Sequence, residues 1–203
     1  MDNLLFGGLA AMSLLSALLP LLLFAPVVVY VVARWRTYRE GPGPDPQLGW
    51  KTAIAFFKLL ALQLALAGLY CLVDGVLRGE ERGRGELLRL AVGLLVPAAL
   101  VYGAHHAAGQ RTNALEQPIA PRLFAGVGLM LTGLVAFGAL VAGCVLLFQK
   151  HVGEGDLRQA WSLAVVYGVA WATQGVAFAR GLPGAPPPLA VAQYAARPGP
   201  PPA

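Results

Sequence analysis

The stretch Leu123-Phe-Ala-Gly-Val-Gly-Leu-Met-Leu-Thr-Gly-Leu-Val-Ala-Phe-Gly-Ala-Leu-Val-Ala-Gly-Cys-Val-Leu-Leu-Phe148 runs for 26 residues without an Asp, Glu, Lys, Arg or His. A helix that crosses about 30 Å of hydrocarbon needs about 20 apolar residues, because backbone groups left unpaired in lipid cost several kcal/mol each. This run is therefore long enough to span a bilayer. It lacks the alternation, in segments of about 10 residues, that an outer-membrane barrel strand would show.

Four further stretches read the same way: residues 4–33, 52–77, 87–105 and 157–179, with the quoted run as 123–148. The expected fold is all-α, a polytopic membrane helical bundle of about five transmembrane helices over residues 1–180. At 1.5 Å per residue the first stretch would reach about 45 Å, more than the hydrocarbon requires. Tilting or kinking at Pro20 and Pro26 is expected there, and those prolines also leave open a re-entrant pair. Pro97 predicts a kink in the third span. From Gly181 onward prolines crowd the chain, so residues 181–203 read as a disordered, polyproline-like tail.

Composition agrees with the spans. Of the 203 residues 57% are apolar or aromatic and only 12% are charged, with a mean hydropathy of +0.64. Soluble domains carry about 25% charged residues, so an ordinary soluble domain and a disordered chain are both excluded. Two cysteines, Cys71 and Cys144, are too few for a disulfide scaffold, and two buried thiols are the expected outcome.

Charge placement gives an orientation. No Lys or Arg precedes the first stretch, whereas Arg34, Arg36 and Arg39 follow it, the pattern of a retained anchor and not of a cleaved signal peptide. With the N-terminus outside, eight Lys or Arg residues fall inside and six outside, a weak bias in the direction of the positive-inside rule. The expectation is N-terminus out and C-terminus in. Scarce Lys and Ile beside abundant Ala, Gly, Arg and Pro point to a GC-rich bacterium, hence to its cytoplasmic (inner) membrane. The net charge of +5 is met by headgroup contacts at helix ends, and no basic run is dense enough for a nucleic-acid surface.

The second and third spans, laid beside the fourth and fifth, share landmarks in one order. Ala67-Gly68, Cys71, Gly85-Glu86-Leu87, Val101-Tyr102-Gly103 and Gln110 are answered by Ala142-Gly143, Cys144, Gly155-Asp156-Leu157, Val166-Tyr167-Gly168 and Gln174. The order suggests a duplicated helical hairpin plus one N-terminal helix, although the spacings differ. Small residues recur every fourth position at Ala160, Ala164, Gly168 and Ala172, and again at Gly138 with Ala142 and Ala139 with Gly143. Such stripes let helix backbones approach closely in lipid, within one chain, in a homo-oligomer or against a membrane protein partner.

Ionisable and polar residues inside a span are functional candidates by default. Lys58, Gln63, Tyr70 and Asp74 form the candidate intramembrane polar set, the last three on one face of the second span. Lys58 is expected to snorkel to the inner headgroups. Asp74, near the outer end, is expected to be hydrated, and sixteen residues separate it from Lys58, too many for an ion pair. The face would either line a substrate or proton path or hydrogen-bond across a helix interface, and the interface is favoured. On that reading, replacing Asp74 with Asn leaves a scaffold's stability intact but abolishes a proton-coupled flux.

No catalytic residues, cofactor or metal ligands are assigned. His105 and His106 end the third span and His151 follows the fourth, so the membrane separates them, and adjacent helical histidines diverge by about 100°. His-Glu-x-x-His, Gly-x-Ser-x-Gly, the phosphate-binding Gly-x-x-x-x-Gly-Lys and Cys-x-x-Cys are all missing from the sequence. The 34–50 loop reads as a basic, aromatic surface anchor followed by an extended linker, and 109–121 as a polar turn. The expected function is that of a non-enzymatic accessory or scaffold subunit in the lipid bilayer, with a small permease or channel as the alternative.

Overall fold

The structure is a computed structural model that describes residues 24–36, 45–78, 83–112, 119–149 and 153–180. Five helices account for nearly all of them. They are α1 (24–36), α2 (Leu48–Leu77), α3 (Arg84–Gln110), α4 (Ile119–Leu147) and α5 (Glu154–Arg180), with no strand among the described residues. The last four are long and apolar enough to cross a membrane. The helices outrun the apolar stretches by up to about five residues at either end, because polar end residues continue the backbone ladder into the headgroup zone. Of the first apolar stretch only its end is described, as α1. Its first turns, Pro20 and the question of a re-entrant pair lie outside the described residues, as do His151 and the 181–203 tail.

Local chemistry sets the helix starts. Asp45 accepts from the Gln47 backbone N–H through Oδ1 at 2.9 Å, and the Leu48 N–H reaches the Asp45 carbonyl at 3.2 Å. This turn, with Pro46 fixing its own φ, launches α2. Residues 48–50 are thus helical and not extended linker. Gly83 precedes α3 with φ at +93°, a left-handed conformation that a side chain would resist. Pro97, the expected kink site, lies inside a continuous helix, which a membrane environment tolerates when neighbouring groups re-pair the freed carbonyl.

The helices form two antiparallel pairs, α2 with α3 and α4 with α5, and α2 carries the contacts between the pairs. In the first pair Gly68 abuts Ala91, Leu94 and Leu95, and Gly75 abuts Leu87 and Leu88. In the second, tryptophans fill the space that glycine leaves: Trp171 lies over Gly133 and Trp161 over Gly143. Leu66 of α2 packs with Val166 and Tyr167 of α5 to join the pairs. α1 lays Val29 on Leu59 and Phe124, and Ala33 on Leu48 and Ala120, in the groove between the starts of α2 and α4. Large apolar side chains such as Leu100, Met130 and Phe137 are about two-thirds exposed or more, as a lipid-facing surface requires.

Small-residue stripes are used unevenly. Ala139 and Gly143 are buried, while Gly138 and Ala142 are exposed, so one stripe of α4 packs inside the chain and the other faces outward. On α5 a Cβ placed at Gly168 would meet nothing within 4 Å. The landmarks of the two pairs also fall out of register. Gln63 and Thr132, 69 positions apart, are bonded side by side, whereas Cys71 and Cys144 are 73 apart. Cys144 therefore sits about 6 Å further along its helix than Cys71. Both thiols are free, Cys71 buried and Cys144 exposed, which corrects the expectation of two buried thiols.

Candidate functional site

The polar set on α2 divides into three environments. Midway along the helix, Gln63 Nε2 donates to Thr132 Oγ1 of α4 at 3.4 Å, and Gln174 Nε2 of α5 donates to the same oxygen at 3.2 Å. The Thr132 hydroxyl spends its own proton on the Gly128 carbonyl at 2.6 Å. One donor and two acceptor lone pairs are then all used, which suits a side chain with no exposure at all. The result is a three-helix clasp at the centre of the bundle. Tyr70, one step along the same face, is half-buried against the Leu66, Val166 and Tyr167 cluster.

Asp74, near the end of α2, is 1% exposed, so the expected hydration is corrected. Arg78 donates to its Oδ2 from Nε at 3.2 Å and from Nη2 at 3.1 Å, and Arg158 of α5 donates to Oδ1 from Nε at 3.1 Å. Arg78 comes from the next turn of the same helix, but Arg158 is 84 residues away and belongs to the other pair. Two guanidinium groups thus share this one carboxylate, and Arg78 and Arg158 keep 9% and 16% exposure through which water or headgroups can reach them. Removing Asp74 would take away the acceptor that joins α2 to Arg158 of α5, which replaces the expectation that Asp74→Asn is structurally neutral.

Lys58 stands apart. Its Nζ lies 5.2 Å from the centroid of the Tyr102 ring on α3. Phe57 stacks on His105 and Gly109 faces Ile54, so the α2–α3 register places Tyr102 about level with Leu60. The ammonium thus faces a ring of the adjacent helix α3. An exposed cation–π contact is worth about 0.5–1 kcal/mol, less than the few kcal/mol that a charge at depth in the membrane costs.

Lys58 lines a cavity of about 420 Å³ bounded by α2, α3, α4 and α5, within the range of ligand pockets. Ile54, Leu59, Leu62 and Phe124 give it apolar walls, with Gln110 and Thr112 at its polar end. Lys51 also borders it, but its Nζ is 2.7 Å from Asp45 Oδ2 and both side chains are almost fully buried. None of the described lining residues is acidic.

The histidines do not converge. His105 Nδ1 lies 2.8 Å from the Val101 carbonyl and its ring stacks on Phe57, while His106 stacks on Tyr102, 6.2 Å between centroids. Among the described residues no three His, Cys, Asp or Glu side chains group as metal ligands.

Sequence reading missed Thr132, Gln174 and Arg158 as partners and the Asp45–Lys51 pair. Thr132 had a signal, being the one hydroxyl in the 26-residue uncharged run. Gln174 had one as well, an amide inside the apolar 157–179 stretch. No known family, no curated protein and no solved structure matches the chain.

Proposed function

We propose that the chain is a non-enzymatic accessory or scaffold subunit of a bacterial cytoplasmic membrane, inserted with its N-terminus outside and its C-terminus inside. The observation that carries the reading is how α2 uses its polar face: Gln63 and Asp74 bond to other helices of the same chain. Their role is to fix how the two helix pairs dock. The outward-facing Gly138 and Ala142 on α4 then supply a small-residue face on which a second copy or another membrane protein could pack closely. The weak excess of Lys and Arg at the end where α2 begins supports the orientation.

Purification of the tagged full chain in mild detergent tests the reading. A stoichiometric membrane partner or a defined homo-oligomer is expected, and Gly138→Leu should reduce the complex several-fold while the monomer keeps its helix content. Recovery of a lone monomer from both proteins would contradict it. A small permease or channel is the second reading, favoured by the cavity beside Lys58. Solute flux into proteoliposomes containing this chain alone would establish that alternative.

A further inference from the structure

We propose that the cavity between the two helix pairs binds an anionic phospholipid, with Lys58 selecting the acidic headgroup and the apolar walls holding the first part of an acyl chain. Charge complementarity carries the assignment. Among the described residues the cavity is bordered by two ammonium groups and no carboxylate. Lys51 is already neutralised by Asp45 at 2.7 Å. Lys58 has only the Tyr102 ring as its partner among the described residues, so the described lining carries one net positive charge. A neutral or cationic ligand leaves that charge unmatched, whereas a phosphate diester matches it in number.

The fold supplies the route. α3 packs along α2 and makes no extended contact with α4 or α5 among the described residues, yet Tyr102 of α3 and Phe124 of α4 both line the cavity. Among the described residues helix packing does not close the gap between α3 and α4, and that is the side from which a lipid of the surrounding leaflet would enter. A lipid could enter it without leaving the bilayer. Ile54, Leu59, Leu62 and Phe124 supply apolar wall beside the Lys58 ammonium for the first part of an acyl chain, while Gln110, Thr112 and Gln174 are polar groups of the same lining. The cavity shares Gln174 and Gly128 with the clasp, but Lys58 belongs to neither the clasp nor the ion-pair cluster on which the proposed function rests, so a Lys58 variant tests the lipid site alone.

The full chain, reconstituted in nanodiscs of phosphatidylcholine doped with one-tenth phosphatidylglycerol, is released into the mass spectrometer and its retained lipids are counted. Wild type should retain one phosphatidylglycerol, at least tenfold enriched over phosphatidylcholine. Lys58→Met, which is apolar and suits a spanning helix, should lose that enrichment, and Lys58→Arg should keep most of it. Thermal unfolding of wild type in neutral detergent supplies an arm that needs no variant: added phosphatidylglycerol should raise the midpoint, and inorganic phosphate at the same concentration should not. Equal retention of neutral and anionic lipid, or undiminished enrichment in Lys58→Met, overturns the proposal. Stabilisation by free oleate but not by phosphatidylglycerol overturns the phospholipid assignment in favour of a fatty acid.

Discussion

Asp74→Asn is expected to destabilise the bundle by about 3 kcal/mol, measured as the shift in unfolding free energy in mixed detergent micelles. The carboxylate is buried and bonded to Arg78 and Arg158 at 3.1 Å each. Removing one member of a buried charge cluster typically costs 3–5 kcal/mol, because the remaining charge keeps its desolvation penalty and loses its partner. The lower end applies here, since both arginines keep some access to the surface. Arg158→Met alone should cost less, because Arg78 still neutralises Asp74. The double variant should lose less than the sum of the two single losses, since both single changes remove the same Arg158–Asp74 bond. A loss below about 0.5 kcal/mol for Asp74→Asn, the scale of an ordinary surface change, would show that the cluster is not structural.

Gly68→Leu should separate α2 from α3. A Cβ at Gly68 would lie 2.9 Å from Leu95 Cγ, 3.1 Å from Leu94 Cβ and 3.2 Å from the Ala91 carbonyl oxygen. The last two atoms are fixed by the α3 backbone, so a rotamer change cannot relieve the clash. Overpacking of this kind costs about 1–3 kcal/mol, outweighing the roughly 1 kcal/mol that glycine concedes in helix propensity. Gly103→Leu is the matched control on α3, where a new Cβ meets nothing within 4 Å and the change should be neutral or slightly stabilising. The contrast reads as a lower unfolding midpoint for Gly68→Leu, with the Gly103 variant at or above wild type. Equal midpoints would contradict the close approach of the two backbones.

The spans were legible because lipid imposes one rule on every backbone group, and apolar runs of sufficient length follow from it. Four of the five expected spans correspond to helices α2 to α5. What the runs could not show is which residues face each other, since helix rotation and pairing are set by packing and not by hydropathy. Asp74 illustrates the limit. Its place near a helix end reads as hydrated, and only the arrival of Arg158 from 84 positions away makes it a buried ion-pair centre. Lys58 shows the reverse case: its stem is long enough to reach the headgroups, but its ammonium faces a ring on α3. The stripes were visible as spacing, but whether Gly143 or Gly138 would pack depends on where Trp161 lies.

The polar face of α2 is turned toward α4 and α5 and binds the two helix pairs together. A short bis-thiol-reactive linker applied to membranes tests it directly, with Gln63→Cys and Thr132→Cys placed in a background carrying Cys71→Ala and Cys144→Ser. That pair should cross-link efficiently, as a faster-migrating band, because the native side chains meet at 3.4 Å. Leu64→Cys with Leu134→Cys should not, because both native leucines are turned to the outside, 37% and 58% exposed. Cross-linking of the second pair in preference to the first would rotate α2 away from its partners and contradict the arrangement.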